Sequence, residues 1–225
     1  MTTKSRILIE GWRNFISEGE YAKSLRILDF DDTIADTGEK VKLYTDDGKS
    51  HRMIDSAEFA VHDLQPGEFY DIETSFEEFN DVNLDKALEI PEVSDILKRF
   101  INAPGARKIL ILTARNQLAE EGIRNFLRSI GIDDSNIDVV GVGEKHPHAK
   151  VREIAKYLDM LDGVEEVSFF DDSLPNTQAV AEYLNDRGIK YDVAHVKKDA
   201  AGEINLKRIK EALLWEHIRR KYLYS

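Results

Sequence analysis

Five short apolar runs are spaced along the chain, and polar residues follow most of them directly. The runs cover residues 25–30, 108–112, 137–142, 167–170 and 191–196. Runs this short and this apolar are typical of strands that are buried on both faces of a parallel sheet. The pattern therefore predicts a five-stranded, largely parallel sheet whose two faces are covered.

Between the runs, apolar residues recur at the three- and four-residue spacing of amphipathic helices. This spacing is found in residues 93–101, 117–130, 150–161 and 177–184. Because strands and helices alternate, the chain is expected to form right-handed strand–helix–strand crossovers. We predict a doubly wound, three-layer α/β core made of residues 25–36 and 92–200.

One segment, residues 37–91, interrupts the alternation because it contains no comparable apolar run. Residues 41–44 and 50–54 flank the turn-forming sequence Asp46-Asp47-Gly48, a pattern that predicts a β-hairpin. Aromatic residues follow the hairpin among many acidic ones. We predict that this segment, called the insertion below, forms a small cap after the first strand.

The two ends of the chain carry their own patterns. Residues 1–24 are predicted to form a helical segment that either packs on the core or docks a partner, since apolar residues have helical spacing at Ile7, Ile9, Trp12, Phe15 and Ile16. Residues 201–225 are predicted to form a C-terminal helix, in which apolar and charged residues are mixed from position 206 to 222.

Composition narrows the function. The chain has 225 residues, of which 42% are hydrophobic, and its formal net charge of −12 disfavours tight nucleic-acid binding without a local basic patch. The absence of cysteine excludes disulfides, thiolate metal sites and a thiol nucleophile. No apolar run approaches the roughly 18–20 residues of a membrane span, and the charged N-terminus is unlike a signal peptide, so we expect a cytoplasmic protein.

Acidic residues follow the first and the fourth predicted strands. Asp29 and Asp31 come at the end of the first strand, and Asp171 and Asp172 at the end of the fourth. The carboxyl ends of parallel strands form one edge of the sheet, where ligands bind in open α/β folds. Because Mg2+ prefers several oxygen ligands in octahedral array, the two acidic strand ends together predict a Mg2+ site.

Phosphate-binding groups follow the second and third strands. The Thr113 hydroxyl and the N–H groups of Ala114 and Arg115 can hold a phosphate oxygen, aided by the positive end of the next helix. After the third strand, Lys145 and Lys150 are both candidates for neutralising a phosphate. We favour Lys150 because it lies at the start of a predicted helix, where packing can fix its stem.

The order of these residues resembles the four signature motifs of the haloacid-dehalogenase-like (HAD) superfamily. LDFDDTIAD resembles the first motif and ILILTAR the second, Lys145 or Lys150 fits the third, and VSFFDDSLPN resembles the fourth. The matching framework covers residues 25–196. The N-terminal segment and the insertion also look like those of small phosphatase-like proteins encoded by large tailed phages.

The resemblance implies a role for each matching residue. Asp29 would be the nucleophile that forms an aspartyl-phosphate, and Asp31 would be the general acid and then the general base. Mg2+ would bridge the Asp29 carboxylate, the Asp31 carbonyl and Asp172, with Asp171 in or near its shell. We therefore predict a magnesium-dependent phosphatase that calcium inhibits and that acts on a small phosphorylated substrate.

Three alternatives stand beside this prediction. A receiver-type signalling module carries its phosphoacceptor after the third strand, where this chain has Gly143 and Glu144. A catalytically silent structural or regulatory HAD-like protein is a second alternative, against which the intact acidic residues argue. The third is a polynucleotide-end phosphatase, because the sequence Thr113-Ala114-Arg115 resembles the Ser-Gly-Arg stretch of phage polynucleotide 3′-phosphatase domains.

Overall fold

The computed structural model describes residues 22–48, 51–55, 58–59, 62–71, 74–199 and 201–209. Within these residues the strands are β1 Ser24–Leu28, β2 Ala35–Asp36, β3 Lys40–Tyr44, β4 His51–Asp55, β5 Leu88–Glu89, β6 Arg107–Thr113, β7 Ile137–Gly141, β8 Glu166–Asp171, β9 Lys190–Lys198 and β10 Ile204–Arg208. The α-helices are α1 Pro91–Asn102, α2 Glu120–Ser129, α3 Pro147–Met160 and α4 Leu174–Asp186. Short 3-10 helices cover Glu77–Asn80 and Gln117–Ala119.

A six-stranded sheet lies at the centre of the fold, in the order β10-β9-β8-β1-β6-β7. The strands from β9 to β7 pair in parallel, and β10 runs antiparallel to β9 at one edge. All five predicted strands are therefore present, and the predicted doubly wound α/β fold is confirmed.

The sheet separates two hydrophobic cores because successive side chains of a strand point to opposite faces. On β6, Ile109 and Ile111 belong to the core that α1 and α2 cover, whereas Leu110 and Leu112 belong to the core that α3 and α4 cover. Strands that are apolar on both faces thus need helices on both sides, which gives the three layers.

The insertion folds on a small core of its own. β2 and β5 pair antiparallel and bring its two ends together, and β3 and β4 form the hairpin that the sequence predicts. The buried side chains of this small core are Val41, Leu43, Ile54, Phe59 and Phe79.

The predicted C-terminal helix is wrong where the structure describes it. Residues 204–208 form β10, which pairs with β9. Ile204 and Leu206 both pack against the core that α1 and α2 cover, so the apolar residues here have the two-residue period of a strand. The rest of that predicted helix and the predicted N-terminal helical segment lie outside the described residues.

Among the described residues, no helix is both long enough and apolar enough to cross a lipid bilayer.

Gly141, the last residue of β7, is a position where a larger side chain should disturb the turn that follows β6. A Cβ there would lie 2.5 Å from the carbonyl carbon and oxygen of Asn116 and 2.7 Å from the carbonyl oxygen of Arg115. Since these are backbone atoms, Gly141→Ala must displace the turn after β6, and we expect a loss of about 1–3 kcal/mol in the free energy of unfolding. Urea unfolding measures this loss, and an unchanged midpoint would contradict the prediction.

Candidate active site

Three neighbouring strands end at one edge of the sheet, each beside a candidate site residue. Asp29 follows the last residue of β1, Thr113 ends β6 and Asp171 ends β8. Because β1 pairs in parallel with both β6 and β8, the three strand ends lie next to one another at this edge. The Asp29 N–H still donates to the Phe170 carbonyl at 2.8 Å, so the hydrogen-bonded ladder continues up to Asp29.

Lys150 reaches this edge from the first turn of α3, which begins at Pro147. Its Nζ lies 2.7 Å from Asp171 Oδ2 and 2.8 Å from Asp29 Oδ1, and the residue is only 2% exposed. Burial alone would lower the pKa of the Lys150 ammonium, but the carboxylates of Asp171 and Asp29 outweigh this effect and raise it. The structure thus places Lys150 in contact with both acidic strand ends.

Lys145, the other candidate lysine, contacts the insertion instead. Its Nζ lies 4.1 Å from the centroid of the Phe59 ring and 5.8 Å from that of Tyr70. These are cation–π distances. Of the two lysines, Lys150 is the one that the structure brings to the carboxylates.

The two aspartates at the end of β8 are held by the residues that follow them. Asn176 Nδ2 donates to the two carboxylate oxygens of Asp171 at 3.0 and 3.2 Å, and the Ser173 N–H donates to Oδ1 at 2.8 Å. The Asp172 N–H donates to the Thr33 hydroxyl at 3.1 Å. These bonds fix the position of the Asp171 carboxylate and the direction of the turn that carries Asp172.

The acidic cluster fits a divalent cation. One oxygen each from Asp29, Asp171 and Asp172 lies within 4.8 Å of the others. Burial raises the pKa of Asp29 to about 7 against the opposing charge of Lys150, and burial likewise raises the pKa of Asp172. Three carboxylates beside one ammonium leave two formal negative charges, which a divalent ion would balance. Because all three side chains offer oxygen ligands, Mg2+ suits the site.

The Asp31 carboxylate lies outside this trio because it is turned towards Arg115. Arg115 Nε donates to Asp31 Oδ2 at 2.9 Å, and Nη2 donates to Oδ1 at 2.7 Å. The Thr37 hydroxyl donates to the same Oδ1 at 3.0 Å. The metal contact that the resemblance implies for Asp31 is through its carbonyl oxygen, and the side chain instead contacts Arg115 and Thr37.

Arg115, predicted to bind phosphate through its N–H group, has its guanidinium directed at protein groups. The residue is 3% exposed and also pairs with the Glu39 carboxylate. It donates to the Asp81 carbonyl at 2.6 Å and lies over the rings of Phe30 and Phe79, at 5.5 and 5.1 Å. The guanidinium therefore links Asp31 of the core to Glu39 and Asp81 of the insertion.

Thr113 and Ala114 keep the positions that the sequence predicts for them. Thr113 is buried at the end of β6, and Ala114 is exposed on the turn that follows. The Thr113 hydroxyl accepts a hydrogen bond from the Arg115 N–H at 3.2 Å. A hydroxyl that accepts one bond can still donate its own hydrogen, which is what a phosphate oxygen requires.

The structure adds two residues that sequence reasoning missed. Glu39, from the insertion, pairs with Arg115, and burial raises its pKa to about 7 although Arg115 opposes this. His195 on β9 has its ring Nε2 2.8 Å from the Asp172 carbonyl oxygen, a contact in which the Nε2–H donates. Glu39 is one of many acidic residues in its segment, and His195 reaches the site only through the pairing of β9 with β8.

Two solved structures resemble this chain, whereas a scan against family models and a search of the curated proteins found no match. One is the HAD domain of effector protein Lem4 from Legionella pneumophila, 16% identical over 77% of this chain and 86% of that one, with a TM-score of 0.43. The other is the L. pneumophila effector Ceg4 with an N-terminal yeast Hog1p sequence, 16% identical over 76% and 87%, with a TM-score of 0.42.

The raised pKa of Asp29 predicts how the stability of the metal-free protein depends on pH. From its ordinary pKa of 3.8 up to about 7, the folded protein keeps a proton that the unfolded chain releases. The free energy of unfolding should therefore fall as pH rises through this window. Asp29→Asn cannot titrate there, so in chelator its melting temperature should rise by several degrees relative to wild type between about pH 5 and pH 8. Parallel pH profiles would contradict the assignment.

Proposed function

We propose that this chain is a HAD-like phosphatase that uses Mg2+ to hydrolyse a phosphate monoester through an aspartyl-phosphate on Asp29. The observation that carries the proposal is the buried Lys150 ammonium, 2.8 Å from Asp29 Oδ1 and 2.7 Å from Asp171 Oδ2. An ammonium in contact with the nucleophile is placed to neutralise the oxygens of an incoming phosphoryl group. Phosphoryl transfer needs such positioning and charge neutralisation more than it needs covalent chemistry from many groups.

In the first step, an Asp29 carboxylate oxygen forms a bond to phosphorus while the bond from phosphorus to the leaving oxygen breaks. Asp31 gives its proton to the leaving oxygen, so that an alcohol departs. The Lys150 ammonium and the Thr113 hydroxyl hold the phosphoryl oxygens during the transfer.

In the second step, a water oxygen attacks phosphorus and gives a proton to Asp31, while the bond between Asp29 and phosphorus breaks. The products are inorganic phosphate and the original carboxylate, and Asp31 is protonated again. Asp29, Asp171 and Asp172 would hold Mg2+, which would supply positive charge to stabilise the transferring phosphoryl group.

Asp29→Asn should abolish turnover while the protein still folds, because the amide keeps the shape of the carboxylate but is a poor nucleophile. Release of inorganic phosphate from a panel of phosphate esters measures this, and the wild type should lose its activity in chelator and regain it with Mg2+. Asp36→Asn is a matched control, since Asp36 pairs with Lys198 at 2.7 Å on β2. Near-normal rates for Asp29→Asn, or full activity in chelator, would overturn the proposed function.

The two lysines should differ in their effect on turnover. Lys150→Ala removes the ammonium from the nucleophile, so we expect kcat to fall by about 100-fold or more. Lys145→Ala removes a contact with the insertion and should change kcat by less than about threefold. Melting temperatures in Mg2+ check that both variants fold. The opposite order of effects would move the phosphate contact to Lys145.

The acidic insertion supports a small phosphorylated substrate over a nucleic-acid end. Its acidic residues include Asp46, Asp47, Asp63, Glu68, Asp71, Glu77, Glu78 and Asp81. A long polyanion meets this charge along its length, whereas a small monoester meets it once. The guanidinium of Arg115 could have offset this negative charge, but it forms ion pairs with two protein carboxylates.

A mononucleotide should therefore have a higher kcat/KM than an oligonucleotide with the same terminal phosphate. Raising the salt concentration should narrow the difference, because salt screens the repulsion of the longer substrate. The comparison uses steady-state phosphate release at several ionic strengths. If the oligonucleotide is the better substrate and its advantage shrinks with salt, the polynucleotide-end function replaces this one.

A further inference from the structure

The Arg115 guanidinium lies between two carboxylates, one from the core and one from the insertion. Its Nη2 donates to Asp31 Oδ1 at 2.7 Å and also contacts Glu39 Oε2, while Nε donates to Asp31 Oδ2 at 2.9 Å. The side chains of Arg115 and Glu39 are only 1% and 5% exposed. Both charges are therefore removed from water and depend on each other for compensation.

We propose that Glu39 is a positioning residue for Asp31 and acts through the guanidinium of Arg115. The inference rests on the proposed function, in which Asp31 transfers the proton. Glu39 is buried against the arginine, so its role is to hold the arginine and not to bind substrate.

The geometry of a guanidinium explains how the effect is transmitted. A planar fork that meets a carboxylate at two points fixes both the position and the plane of that carboxylate. Arg115 meets Asp31 in this way, through Nε and Nη2. The fork is itself fixed from the other side by Glu39, by the Asp81 carbonyl at 2.6 Å and by the Phe79 ring at 5.1 Å.

These three groups belong to the insertion, while the Phe30 ring of the core packs against the same guanidinium at 5.5 Å. The insertion therefore helps to set where Arg115 points, and Arg115 sets where Asp31 points. Of the three, Glu39 supplies the only charge, so its loss should loosen the fork most. A displacement of about 1 Å at a catalytic group can cost about 100-fold in rate.

The nature of the leaving group gives a readout specific to Asp31. When the bond from phosphorus to the leaving oxygen breaks, an alkoxide is strongly basic and needs the proton of Asp31, whereas p-nitrophenolate is weakly basic and leaves without it. If Asp31 is displaced, kcat/KM should fall much more for an alkyl phosphate than for p-nitrophenyl phosphate. A general loss of structure would lower both alike.

The test measures kcat/KM for glycerol phosphate and p-nitrophenyl phosphate in Mg2+, with wild type, Glu39→Gln, Asp31→Asn and the double variant. Glu39→Gln should lower the value about tenfold for glycerol phosphate and less than about twofold for p-nitrophenyl phosphate. Glu39→Gln should leave the inhibition constant of inorganic phosphate unchanged, and in the double variant it should add no further loss of kcat/KM to that of Asp31→Asn.

The control is Glu77→Gln, which removes an exposed carboxylate of the insertion that pairs with Lys42. This variant should leave kcat/KM unchanged for both substrates.

Equal losses on the two substrates, or losses that multiply with those of Asp31→Asn, would overturn the inference. If Glu39→Gln does not fold, Arg115→Lys keeps the charge, loses the fork and must show the same preference for the aryl substrate. A wild-type protein that hydrolyses no ester would overturn the proposed function itself. An active wild type with a uniform loss in Glu39→Gln would overturn only the role of Glu39.

Discussion

The burial of one ammonium group among carboxylates is the constraint on which the candidate site depends. Removing an ammonium from water costs several kcal/mol, and only carboxylates at contact distance offset it. For Lys150 these are Asp29 and Asp171, from the ends of the adjacent strands β1 and β8. The first turn of α3 must therefore lie directly against both strand ends, which links the start of that helix to the register of the sheet.

The same cluster leaves negative charge uncompensated. Asp29, Asp171 and Asp172 bring three carboxylates together against one ammonium, and burial raises the pKa of Asp29 to about 7. Hydrogen bonds from Asn176 and Ser173 keep Asp171 from turning away to relieve the repulsion. A bound cation would stabilise a site built in this way, so the arrangement of the carboxylates by itself favours a divalent ion.

The features of this structure that could be predicted are those that a pattern of neighbouring residues marks in the sequence. The five central strands are apolar on both faces, and Asp29, Thr113 and Asp171 lie at the ends of such strands, so the fold and these positions could be predicted. β10 could not, because an edge strand takes its pairing partner from β9 and only two apolar residues mark it. Glu39 meets Arg115 across 76 residues of sequence, and no local pattern records that contact.

The contrast between Lys150 and Arg115 shows why a cation in a motif does not define its own role. An ammonium is compact, so Lys150 can touch two carboxylates and still serve a third anion at the same edge. A guanidinium is planar with five donors, and in this fold Asp31, Glu39 and the Asp81 carbonyl take up four of them. The sequence displays the charge of Arg115, but the number of carboxylates that the fold brings to it decides whether it binds substrate or orients another residue.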